Sequence, residues 1–178
     1  MPVPNEDAVW QQQPQFVQAA FTHQRAEKVL LPQGFKLSKL SDFDSLAPPG
    51  ATTLSPWWSP FEDYEYDAGF ENRVKLAQHF GVSIRELSRL LVAVKENWNS
   101  LKYLLVIQLR VPVYAFFGGV AGQLRIDAAD PGGKPVVSKV LAGEASGKTK
   151  NLVGGASQFY IPNLQVDHAL KVEARSLL

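Results

Sequence analysis

The feature that most constrains this 178-residue chain is an apolar run from Tyr103 to Gly122, interrupted by Gln108, Arg110 and Pro112. As a transmembrane helix the run would hold Arg110 near mid-bilayer, at a cost of about 3 kcal/mol. As sheet it meets no such penalty. Leu, Val and Ile fill Tyr103 to Val111, too apolar for an edge, so this part reads as a central strand. Pro112 bends or ends it, and Val113 to Phe117 continues or pairs beside it before Gly118-Gly119. The run is therefore the middle of a sheet, and no membrane span is expected.

Other segments supply partners for it. Pro32-Gln33-Gly34 is a turn feeding a strand on which Phe35, Leu37 and Lys39 share one side. Ala51 to Ser55 reads as a second short strand, closed by Pro56 ahead of Trp57-Trp58-Ser59-Pro60. The acidic, aromatic stretch from Phe61 to Gly69 follows neither period and is expected to be a loop. Phe70, Val74, Ala77 and Phe80 then fall at helical spacing with Gly81 as the stop. Ser83-Ile84-Arg85-Glu86 is a capping-box sequence opening a second helix, with an apolar stripe at Leu87, Leu90, Leu91, Val94 and Trp98. The pair resembles a helix-turn-helix, but the second helix mixes Arg85 and Arg89 with Glu86 and Glu96, which argues against reading DNA.

Toward the end, Gln123 to Asp127 and Val136 to Leu141 flank Asp130-Pro131-Gly132-Gly133, a hairpin signal. Gly143 to Gly155 has the composition of a surface loop, and Ser157 to Pro162 and Val166 to Glu173 read as two final strands. The fold class is α+β: a largely antiparallel sheet in the C-terminal half with two central helices. Residues 1–28, with Gln11-Gln12-Gln13-Pro14-Gln15, read as a leader or linker, although Phe16 to Phe21 could dock as a short helix; residues 29–178 read as a single domain.

Composition removes several chemistries. Without cysteine there are no disulfides, thiolate nucleophiles or cysteine-held metals. Eighteen basic against seventeen acidic side chains leave no bulk field to gather polyanions. His23, His79 and His168 lack a paired acid at ligand spacing, and Glu62 to Asp67 reads as a solvated acidic loop before a cation site. Gly143 to Thr149 lacks the spacing of a phosphate loop. The first seven residues carry no basic lead into an apolar stretch, so a secretory signal is not expected.

One order of residues remains. A strand bearing Lys39, the segment Thr52-Thr53-Leu54-Ser55-Pro56-Trp57-Trp58, helices, a central apolar strand, and Gly154-Gly155-Ala156-Ser157-Gln158-Phe159-Tyr160-Ile161-Pro162 before a last strand loosely resembles, over residues 35–175, the ADP-ribosyltransferase toxins. The resemblance implies an ADP-ribosyltransferase-like fold that uses NAD as substrate, for ADP-ribosyl transfer or NAD hydrolysis. Lys39 would stand where the family has a basic NAD contact, and Ser55 would serve its serine element. Trp57, Trp58 or Tyr64 would stack on nicotinamide, since aromatic faces attract planar and cationic rings. Gln158 would occupy the position of the catalytic glutamate, a departure, because a neutral amide stabilises a developing ribosyl cation far less than a carboxylate does. The same resemblance implies a neutralising immunity protein, a protein or nucleic-acid acceptor, and a chain in the producing cell's cytoplasm before a specialised secretion system delivers it. The rival expectation is a non-enzymatic interaction module or pseudoenzyme using the Trp57 to Tyr66 surface.

Overall fold

The computed structural model describes residues 2–96, 98–125 and 151–178. The hairpin expected around Asp130, the strand expected over 136–141 and Gly143 to Thr149 lie outside them. In chain order the strands are β1 (Glu27–Leu31), β2 (Lys36–Ser41), β3 (Trp57–Pro60), β4 (Tyr103–Leu109), β5 (Val113–Gly119), β6 (Gln123–Leu124), β7 (Asn151–Leu152), β8 (Ser157–Tyr160) and β9 (Ala169–Ser176). The helices are α1 (Gln15–Ala19), α2 (Gly69–Phe80) and α3 (Ile84–Leu91). Among the described residues seven strands form one sheet in the order β1-β5-β8-β3-β2-β4-β9, and β6 pairs with β7 in a separate two-stranded sheet. Every pairing in the large sheet is antiparallel. The α+β, antiparallel expectation therefore holds, but β1, β2 and β3 come from the first 60 residues, so the sheet is not confined to the C-terminal half.

The four-residue β3 joins two half-sheets. Trp57 and Trp58 pair with Tyr160 and Phe159 of β8, whereas Ser59 and Pro60 pair with Ser38 and Leu37 of β2. Pro112 lies between β4 and β5, which belong to different halves; lacking an N–H, it cannot extend either ladder. One cluster draws on both halves: Leu37, Ile107 and Leu109 pack with Leu31, Val113, Phe117, Trp58 and Phe159. A second cluster sets Phe70 of α2 against Leu104 and Val106 on the opposite face of β4.

Three local expectations change. Residues 1–28, expected as leader or linker, pack on the sheet at several points. Val17 and Phe21 are buried, Phe21 bridges to Val120, and the Tyr114 amide donates to the Pro4 carbonyl. Two well-spaced apolar anchors outweigh the Pro- and Gln-rich composition around them. Ala51 to Ser55 makes only an isolated bridge, Thr53 to Gln165; the Ser55 hydroxyl takes the Trp57 amide instead, and the strand begins after Pro56. Helix α3 stops at Leu91 rather than running to Trp98, because the Arg89 guanidinium binds the carbonyls of Val94 and Asn99 and folds the chain back around itself. Only half of the capping box forms. Ser83 Oγ accepts from the Glu86 amide at 3.1 Å, but the Glu86 carboxylate turns to buried Arg125, 2.6 Å away, a charge-assisted contact stronger than the return to the cap.

Candidate functional site

Register decides which of the expected site residues can meet. On β2, Lys39 pairs with Leu105, and continuing the β2–β3 register sets it opposite Trp58. Trp58 pairs with Phe159, and Phe159 with Phe117. Phe117, Phe159, Trp58 and Lys39 thus form one row across the core-facing side of the sheet. The Lys39 ammonium lies 6.0 Å from the Trp58 ring centre. Burial lowers its pKa from the ordinary 10.5. Among the described residues the ammonium has no carboxylate partner and no hydrogen bond.

Ser55 holds the corner beneath this row. Its hydroxyl accepts from the Trp57 amide at 3.3 Å and its carbonyl accepts from Trp58 Nε1 at 2.7 Å, so it fixes the entry of β3 and the Trp58 rotamer. Trp58 is only 3% exposed and cannot offer its face to a ligand without moving. Tyr64 lies in the same core, with ring centres 4.9 Å from Phe117 and 5.3 Å from both Phe35 and Phe159. Burial, then the neighbouring Glu65 and Glu27, raise its pKa.

Trp57 and Gln158 do not join them. Adjacent residues of a strand point to opposite faces, so Trp57 sits behind the sheet, packed on Tyr160 at 4.8 Å and Phe21 at 6.0 Å. The Gln158 amide donates to the Ala20 carbonyl at 2.8 Å and clips the N-terminal segment down. The residues expected from the sequence to share a site are therefore divided: Lys39, Trp58 and Tyr64 belong to one side, with Ser55 at the corner, and Trp57 and Gln158 to the other. Of the aromatic interaction surface expected over Trp57 to Tyr66, Trp58 is buried, Trp57, Phe61 and Tyr64 are partly buried, and Tyr66, 67% exposed, presents its ring most fully.

The structure adds a polar cluster that sequence reasoning missed. Asp67 Oδ1 accepts from the Gly69 amide at 2.9 Å, and Oδ2 accepts from the Ser157 amide and hydroxyl at 3.0 and 2.8 Å. Arg73, 5% exposed on α2, comes within 3.9 Å of the same Oδ2. Tyr66 leans over Phe117 beside them. Asp67-Ala68-Gly69 ahead of a helix was the one local signal; Ser157 lies 90 positions away, which no periodicity could show.

Among the described residues no group of His, Cys, Asp and Glu could hold a metal, and no helix is long and apolar enough to cross a membrane. His168 Nδ1 accepts from the Gln165 amide, capping a short 3-10 helix. No family model matches the chain, and no curated protein matches it. Among solved structures the chain is similar to Tne2 in its complex with Tni2, at 9% identity and a TM-score of 0.47, covering 85% of this chain and 92% of that one. It is also similar to Rhs1-CT in complex with its cognate immunity protein RhsI1, at 14% identity and a TM-score of 0.41, covering 82% of this chain and 80% of that one.

Proposed function

We propose that this chain is a toxin-like effector domain with an ADP-ribosyltransferase-like fold, and that it takes NAD as substrate, for hydrolysis or for transfer of ADP-ribose to a protein or nucleic-acid acceptor. The observation that supports this is Lys39: a half-buried ammonium facing Trp58 with no counter-charge among the described residues. Burying a cation without a partner is costly, and a ligand phosphate would remove that cost. Ser55 keeps the corner rigid, and Tyr66 is the aromatic able to stack on nicotinamide without rearrangement. Gln158 takes part only if the Ala20 carbonyl lets go of its amide. The reading carries with it a neutralising immunity protein, the kind of partner named for Rhs1-CT, and delivery into a target cell by a specialised secretion system.

Purified protein incubated with NAD tests it. The expected outcome is release of nicotinamide, reduced at least about ten-fold by Lys39→Ala and partly restored by Lys39→Arg, since loss of one charged contact in a dry site is worth about 1.4 kcal/mol or more. No release and no rise in melting temperature at millimolar NAD would discard the reading, because a ligand that binds the native state must stabilise it.

A further inference from the structure

Arg73 has a guanidinium that its own protein leaves almost unused. The residue is 5% exposed. Its polar contact among the described residues is Asp67 Oδ2 at 3.9 Å, too long for a hydrogen bond. That oxygen already takes two donors from Ser157, and its twin takes the Gly69 amide, so the carboxylate is satisfied without the arginine. Burial pulls the Arg73 pKa below its ordinary value, and the charge of Asp67 offsets this only in part. A guanidinium carries five donors in a fixed fork, and Asp67 balances the charge across 3.9 Å without hydrogen-bonding any of them. Among the described residues only Arg85 Nε and Ser88 Oγ are sealed from solvent without a partner, so the Arg73 donors still reach solvent. Ser88 is wholly buried on α3, the helix packed against α2, so its hydroxyl is a second unmet polar group in the helix pair that carries Arg73.

We propose that Arg73 is the anchor of an anion site beside the start of α2, and that the anion is a phosphate group held by the guanidinium fork. The fork geometry matches two phosphate oxygens, as a point-charge ammonium would not. Asp67 keeps the guanidinium aimed, and its own oxygens are taken up by the Ser157 and Gly69 donors, which leaves the fork open to the ligand. The inference stands apart from the NAD reading, because its test uses inorganic phosphate and needs no turnover.

The first measurement is the melting temperature of the full chain in about 10 mM phosphate against chloride of matched ionic strength, where binding should raise it by about 2 °C. Arg73→Met should abolish the rise and Arg73→Lys should leave only part of it. The deciding measurement is made on the unaltered protein, so it does not depend on the folding of Arg73→Met. Phenylglyoxal labelling of Arg73, followed by peptide mass spectrometry, should slow about three-fold or more in phosphate while exposed Arg25 labels unchanged. Labelling of Arg73 that ignores phosphate overturns the proposal, with or without a thermal shift, as does an equal shift in folded Arg73→Met. Protection by ADP at lower concentrations than phosphate, with none from adenosine, would assign the phosphate to a nucleotide; equal potency would assign it to the free ion.

Discussion

Lys39 shows how one side chain can be legible in kind and illegible in environment. Alternation along Phe35, Leu37 and Lys39 places the lysine on the apolar side of β2, as the structure bears out. That it faces Trp58, with no acidic partner among the described residues, depends on β3, some twenty residues on. The consequence for stability has a definite sign. Its pKa is lowered in the folded protein, so the unfolded chain holds the proton more tightly. The penalty is fully present below the folded pKa and fades as pH rises toward 10.5. Lys39→Met should therefore be more stable than the parent at pH 7 by about 1 kcal/mol, with the gap narrowing by pH 10, as read from urea unfolding at the two pH values. A gap of equal size at both would mean that the buried charge is not its source. Gln158 teaches the converse: its position in sequence matched a catalytic place, yet its amide is spent on Ala20.

Among the elements, α2 is the best read from sequence and the most dependent on one residue. Phe70 and Ala77 are buried and Val74 partly so, whereas Phe80, expected on the same stripe, is 64% exposed; Gly81 ends the helix in the left-handed conformation the sequence implied. Its start is set by Gly69, where φ is +77° and an added Cβ would lie 2.7 Å from the Phe61 carbonyl oxygen. Backbone strain and the contact with a carbonyl that cannot swing away act together. Gly69→Ala should cost about 2 kcal/mol or more, seen as a lower denaturation midpoint with unchanged m-value. An unchanged midpoint would show that the loop from Phe61 to Ala68 relaxes freely. Helix α3 was overextended in the sequence reading because a continuing apolar stripe at Val94 and Trp98 looks the same whether or not a nearby arginine captures the last carbonyls.

The described residues build two half-sheets that share one apolar cluster, with the N-terminal segment packed on the other face. Trp10 and Phe21 pack with Phe116 and Trp57 behind the β5-β8-β3 region. Removing residues 1–24 uncovers that face and loses the burial of Val17 and Phe21, worth about 4 kcal/mol together. The truncated chain should melt roughly 10 °C lower, or aggregate, in a thermal scan followed by circular dichroism. Unchanged melting would restore the leader reading of these residues.

What the sequence determined by itself is what short-range periodicity can encode: the α+β class, the central strands around Tyr103 to Phe117, the start and stop of α2, the cap on α3, and the side of β2 on which Lys39 stands. Spacings of two, three and four residues fix which side chains share a face. Pairing between distant segments is fixed by nothing so local. The order β1-β5-β8-β3-β2-β4-β9, the meeting of Asp67 with Ser157, the separation of Trp57 from Trp58 and the burial of Arg73 follow from register and closure of the whole sheet. Those depend on the sum of many weak contacts across the chain, so the candidate site was legible as a set of residues and became a geometry only when the two halves closed.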